Sequence, residues 1–453
     1  MILAAMLWGQ SQIGECLAQQ VGSIYGGQGY MMLSQFANPA LLGALYQMPN
    51  WPMTGYYPLY PGALLPVIPD DGVRLLEPLK LHPMMGVAQM WTDNVFRSNT
   101  NKKSDFFTTL APGIQAQLPF AGSHAFLVDY RTNLQTYANN PSNDVQDQTA
   151  SGRFKLDFPG GLKVDLAGEH KLGHDPRGTA LDTRTLDINK WEANSFVGRA
   201  EYVGAQSSIM MNLRSTRMTY LDNGQGPVQN RLINYAGLTF SRDVSPKTSL
   251  LANVGVTQQI YDENKNLDSA IYQMSGGARW NISELTSGQI LIGVQQLQFT
   301  NAQVNQPPPL SQFTRTSDSN TNFFVMGNVD WTPTSLSTIS LQSYRTVQQT
   351  AVTTSLYFVA TGANLGASHR LTDSTTLTLN AGIENDEFTS ASGDTSSGSN
   401  RTDLLKNVSV GAQYRAVKWL GLGIQYIFED RGSTQDAFQY QANTFMVSAQ
   451  TLF

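Results

Sequence analysis

The chain is short of cysteine, charge and uninterrupted apolar length, and each shortage closes off a class of protein. Its single cysteine, Cys16, excludes a disulfide framework and a cysteine-based metal site. Charged residues make up 14% of the sequence, against about 25% in a soluble globular protein. No run of about 18 apolar residues is present, so a membrane-spanning helix is not expected. The five histidines are His82, His124, His170, His174 and His369. His170 and His174 share strand parity, but no acidic or cysteine partner completes a metal motif, and they read as interfacial or loop residues. There is no G-x-S-x-G elbow, no phosphate-cradling loop and no H-E-x-x-H. Neither catalysis nor a cofactor is therefore expected. A net charge of −5 without a basic patch argues against nucleic acid as a partner.

What remains is a polar chain, with mean hydropathy −0.24, rich in small and aromatic residues. Gly numbers 39 and aromatics reach 10%, a mixture that fits a sheet with one lipid face and one wet face. Residues 1–18 contain the apolar stretch MILAAMLWG and read as the remnant of a secretory signal peptide cleaved after Ala18. No Lys or Arg precedes Arg74, so the charged start of such a leader is missing and a misplaced start codon is the expectation. Lipidation at Cys16 is the competing reading, disfavoured by Glu15 just before it. Residues 19–80 include NWPMTGYYPLYPGALLPVIPDDG. So much proline excludes a helix or central strand, and an extended arm is expected there, either a lead-in or a segment docking in the barrel or on a periplasmic partner.

From about residue 84 the pattern changes, and residues 81–453 read as one unit. Stretches of roughly 12 to 17 residues alternate with period two, the signature of half-buried strands. Between 270 and 282, Tyr272, Met274 and Trp280 share one face while Gln273, Ser275 and Arg279 share the other. Between 420 and 431, Leu422, Ile424, Tyr426 and Phe428 oppose Gly421, Gly423, Gln425 and Glu429. A helix would break such a stripe at every turn. Eight short connections, from Phe120–Ser123 to Val417–Lys418, alternate with nine loops that are mostly longer and more polar, among them 174–189 and 301–319. The expectation is an all-β, antiparallel up-and-down transmembrane barrel of about 18 strands, with short turns on the periplasmic side and long loops outside. Hydrocarbon offers no partner to a free strand edge, so the sheet must close. Aromatics near strand ends, such as Trp91, Phe120, Trp191, Tyr202, Trp280, Trp331 and Trp419, suit the two interfacial girdles. The terminal strand ends in Phe453 with Val447 and Phe445 on the same face, the form of signal read by the barrel-assembly machinery.

The stretch LHPMMGVAQMWTDNVFRSNTNKKSDFFTTLAPGIQAQLP (81–119) resembles the opening hairpin of the putative β-barrel porin-2 family of bacterial outer-membrane proteins. The likeness rests on Asp93, Asn94, Val95 and Phe96, then Asp105, Pro112 and Gly113. It implies a barrel of similar size in the outer membrane, often linked to exopolysaccharide export. Outer-membrane lipid and lipopolysaccharide, the barrel-assembly machinery and periplasmic polysaccharide-export components are the partners this implies.

If apolar faces meet lipid, the opposite faces line the pore, because a charge at the bilayer midplane costs roughly 2–4 kcal/mol. This assigns Asp129, Arg131, Arg153, Lys155, Asp165, Arg199, Glu201, Arg214, Arg279, Asp330, Arg370, Glu384, Arg415, Gln425 and Glu429 to the lumen. Such mixed charges act either as ladders holding the wall or as a hydrated path for polar cargo. The leading expectation is a conduit for exopolysaccharide, with the long loops 174–189 and 301–319 folded inward as gates. A general or solute-specific diffusion porin is the alternative, and a structural or adhesive barrel with binding loops is the third reading.

Overall fold

The computed structural model describes residues 73–452, apart from 77, 180–186, 223, 284, 304, 306–309, 311–316, 349–354 and 391–400. Cys16, the leader, the arm up to residue 72, Pro307–Pro309 of one expected gate and Phe453 lie outside the described residues.

Alternation along the chain becomes strands of 12 to 16 residues. They begin with β1 (Val73–Leu76), β2 (Leu79–Thr92), β3 (Asp105–Phe120), β4 (His124–Tyr137), β5 (Val145–Asp157) and β6 (Leu162–His174). The next are β7 (Lys190–Val203), β8 (Ser207–Tyr220), β9 (Arg231–Ser245), β10 (Thr248–Tyr261), β11 (Ser269–Ser283) and β12 (Thr286–Phe299). The series ends with β13 (Ser319–Thr334), β14 (Ser337–Gln348), β15 (Ser355–Arg370), β16 (Thr375–Ser390), β17 (Thr402–Val417), β18 (Leu420–Ser433) and β19 (Tyr440–Leu452). Only the four-residue β1 falls short of that length.

Each strand from β2 onward pairs antiparallel with the next, and β19 returns to β2 from Thr444↔Thr92 down to Leu452↔Met84. β2 to β19 thus close a ring of eighteen strands, as the turn spacing implies. β1 pairs with Leu79–Leu81 of β2, on the edge that β19 vacates below Met84, and so extends the closing seam. Short connections such as 121–123, 158–161 and 204–206 alternate with the longer loops. At one of these turns Gly161 has φ +91, and a Cβ there would lie 2.3 Å from the Val203 carbonyl oxygen. Only glycine permits that close crossing.

Side-chain exposure follows the predicted parity. Met274, Ile424 and Val447 are among the most exposed side chains, while Gln273, Ser275 and Gln425 between them are buried. Apolar groups point out and amides point in, the inverse of a soluble protein and the arrangement that a lipid solvent demands. No helix among the described residues is long and apolar enough to cross a membrane; strands do the crossing.

Candidate functional site

Inside the ring, the face of β4 to β8 is a wall of paired charges. Two residues apart on one strand share a face, so Arg131 reaches Asp129 on β4, its Nη2 donating to Oδ2 at 2.8 Å. The same spacing joins Lys171 to Glu169 at 2.9 Å on β6 and Arg199 to Glu201 at 2.9 Å on β7. Arg153 of β5 donates across the ladder to Asp165 of β6 at 3.0 Å, and Arg214 of β8 stands 3.9 Å from Glu169. Lys155 sits opposite Asp165 in the register. The side chains in these ion pairs are 9–24% exposed, so each keeps a partner and some contact with solvent, while Lys155 is exposed. Lys171 was absent from the sequence-based set, although its parity with Glu169 pointed to it.

Other residues assigned to the lumen by parity have different work. Arg370 donates to the Ser335 carbonyl at 3.1 Å and Arg415 to the Asp373 carbonyl at 2.8 Å. Both therefore pin neighbouring short turns, away from the charged wall. Arg279 lies near the same rim, four residues from the end of β11. Asp330 accepts from Ser340 Oγ at 2.5 Å and Asn328 at 3.3 Å. Gln425 is buried on β18.

The side of the lumen formed by β10 and β12 to β17 is closely packed, with one apolar cluster set among buried amides such as Gln289, Gln342, Asn364 and Asn380. Leu251, Leu291, Phe324, Met326, Phe358, Phe388 and Leu405 form one cluster with Tyr344. At its end nearest the longer loops Tyr344 donates to Glu384, and Asp386 stands opposite Asp403 in the register. Arg431 of β18 and Arg401 meet the Asp403 carboxylate, with the Arg401 Nε at 3.1 Å. The Arg401 guanidinium is also stacked between Phe388 and Phe438, at 3.6 and 3.8 Å. Arg401, in a loop, carried no periodic signal that could have marked it.

The loop after β6 reaches this cluster from across the ring. Arg431, fully buried, donates through Nη1 to the carbonyls of Gly178 at 2.7 Å and Thr179 at 3.2 Å. Gly178 has φ +79, and a Cβ on it would sit 2.7 Å from the Tyr440 hydroxyl. Arg177 stacks 5.7 Å over Phe96 and donates to Asn143 at 3.1 Å. Just outside β6, Asp175 is buried and accepts from Trp191 Nε1 at 3.1 Å and Asn189 at 3.4 Å. Burial pushes its carboxyl up to about 7, against the opposing pull of the Asn189 hydrogen bond and of His174.

The residues that carry the family likeness form a clasp on the seam. Asp93 accepts from the Asn443 backbone at 2.8 Å and from its side chain at 2.6 Å. Asn94, fully buried, donates to Gln441 and Ser98 carbonyls at 2.8 and 2.7 Å. Val95, also buried, donates its backbone N–H to Lys103 at 2.8 Å. Arg97 then pairs with Glu429 at 2.6 Å, so Glu429 serves the seam. Asp105 accepts from Asn139 and Asn140, the latter at 2.7 Å. Pro112 interrupts the β3–β4 ladder, which resumes at Gly113↔Arg131. Gly113 makes room for Arg131, whose Cγ would lie 3.1 Å from a Cβ there.

Among the described residues no group of three His, Cys, Asp or Glu side chains could hold a metal ion. His174 pairs with Asp147 at 2.9 Å and His170 with Asn194 at 2.8 Å.

A family model described as putative beta-barrel porin 2 matches residues 80–452. No curated protein matches the sequence. Among solved structures, OccK8 (OprE) of Pseudomonas aeruginosa is 10% identical with a TM-score of 0.48, covering 83% of this chain and 99% of its own. OpdK of the same organism is 9% identical at 0.46, covering 83% and 98%. A bacterial polysaccharide outer membrane secretin is 9% identical at 0.35, covering 82% and 98%. Likenesses this distant carry no information about cargo. The closed eighteen-strand ring with its apolar outer belt, together with the family match, places the protein in the bacterial outer membrane.

Proposed function

This chain belongs to the putative β-barrel porin 2 family, and from that premise we propose that it is a solute-specific diffusion porin for small polar molecules. One observation carries the reading: the lumen is divided between a closely packed side, where an apolar cluster lies among buried amides, and a half-exposed wall of paired charges. An eighteen-strand ring is wide enough for an aqueous channel. Here the apolar cluster and the loop held by Arg431 occupy much of that width, and the hydrated path is confined to the β4–β8 side. Asp129, Arg131, Arg153, Asp165, Arg199, Glu201 and Arg214 line it, each polar enough to exchange hydrogen bonds with a passing solute. Because both signs alternate along the wall, dipolar or uncharged polar solutes are favoured over ions of one sign. No bond in the solute is made or broken.

A narrow path of this kind suits a small solute better than a polymer chain, which is why the porin is preferred to the exopolysaccharide conduit. Reconstitution in planar bilayers tests the choice. A stable conductance, with solute flux that falls steeply as solute size rises and shifts on Arg131→Glu, is the expected result. A closed channel in bilayers, joined to loss of surface polymer on gene deletion, would move the assignment to export.

A further inference from the structure

The wall is not zipped over its whole height. β13 and β14 pair from Trp331↔Ile339 up to Val325↔Arg345, where their ladder stops. β13 runs on from Phe324 to Ser319 paired with β12, and among the described residues no strand takes its other edge. β14 runs on with β15 instead, through Thr346↔Ala360, Val347↔Val359 and Gln348↔Phe358.

Side-chain contacts show where these strand ends have gone. Val347, Tyr357 and Val359 have outward parity, the same as exposed Leu341 and Leu365. Yet they are buried, in one cluster with Tyr261, Ile271, Leu297 and Phe299, which have inward parity on β10, β11 and β12. An outward side chain meets the inward face of other strands only if its own strand has bent inside. Gln295 of β12, fully buried, holds it there. Its Oε1 accepts from the Val347 backbone at 3.0 Å and from Thr346 Oγ1 at 3.1 Å, while its Nε2 donates to Gln273 at 2.9 Å.

We propose that the ends of β14 and β15 are an inward-folded flap that narrows the lumen, and that the channel widens when β14 zips back onto the free edge of β13. The existing register already specifies the open state: Phe324 would face Thr346, Phe323 would face Val347 and Asn322 would face Gln348. Val347 then returns to the lipid face beside exposed Phe323, and no side chain changes parity. The closed state is stabilised by apolar contact with the inward face of β10 to β12, and the open state by backbone hydrogen bonds on an edge that, among the described residues, otherwise has none from a strand. Two packings of one segment, each with its own gain, make a bistable element.

The flap matters only if the lumen conducts, so it rests on the porin reading. The test is the pair Asn322→Cys/Gln348→Cys in a Cys16→Ser background, with folding followed by heat-modifiable migration in gels. Oxidation is expected to form an intramolecular disulfide and to raise conductance severalfold, reversed by a reductant. Gln295→Ala, which removes the latch without a crosslink, is expected to raise open probability in the same direction. A folded barrel in which the disulfide does not form overturns the flap. So does a disulfide that forms while the current stays equal to wild type, and that outcome leaves the porin reading intact. A crosslinked barrel that carries no current at all overturns both.

Discussion

Asp175 stands one residue beyond β6 and holds the root of the loop that crosses the lumen, through Trp191 and Asn189. Tyr220 lies against the same carboxylate at 3.5 Å, and His174 and Arg231 also act on it. Its folded-state value of about 7 lies above that of an ordinary aspartate near 3.8, so the packed loop keeps a proton that the opened loop gives up. The stability this contributes is complete below about pH 4 and declines as pH rises towards 7, levelling off above. Hydrogen exchange at Asp175–Thr179 is therefore expected to accelerate between about pH 4 and 7, and to level off above, after correction for the intrinsic rate. In Asp175→Asn the slope should flatten. An unchanged slope in that variant would assign the dependence to His174 or another neighbour.

At the scale of elements, period-two alternation is a local property, and it was legible strand by strand. Parity correctly separated Gln273 from Met274 and Gln425 from Ile424, because each depends only on which way one strand faces. Turn residues also gave the connections, as at Pro159–Gly161. The crossing loop was legible only as long and polar, and its landing place was not, since Gly178 and Arg431 are 253 residues apart. Gly178 is the element's weak point. Its left-handed backbone disfavours any side chain by roughly 1–2 kcal/mol, and a branched one would also strike Tyr440. Gly178→Val is expected to release the loop from Arg431 and enlarge single-channel conductance without loss of the folded barrel. Conductance equal to wild type would mean that the loop does not narrow the path.

At the scale of the whole molecule, the ring depends on one seam between its first and last strands. There Asp93, Asn94 and Arg97 fasten the first loop to β18 and β19, and β1 extends the lower end. A motif that reads in sequence only as a family likeness thus adds a clasp of side-chain hydrogen bonds to the strand ladder that closes the barrel. Asp93→Ala removes two hydrogen bonds to an ionised carboxylate, each contributing about 1.5–3 kcal/mol. It should lower the temperature at which the barrel unfolds in heat-modifiable gels, whereas Asp93→Asn should retain part of the stability. An unfolding temperature unaffected by Asp93→Ala would show that the strand ladder alone secures closure.

Lipid on one side and water on the other impose an alternation along the chain, and from it came the strand number, the closed sheet and the face that each strand turns to lipid. The sequence by itself determined these because they are set by solvent, one residue at a time. Only the tertiary structure decided that half of the lumen is packed, that the loop after β6 ends on Arg431, and that the ends of β14 and β15 lean inward. Those outcomes depend on side chains from distant strands meeting across the ring, and no periodicity along a single strand encodes which of them will meet.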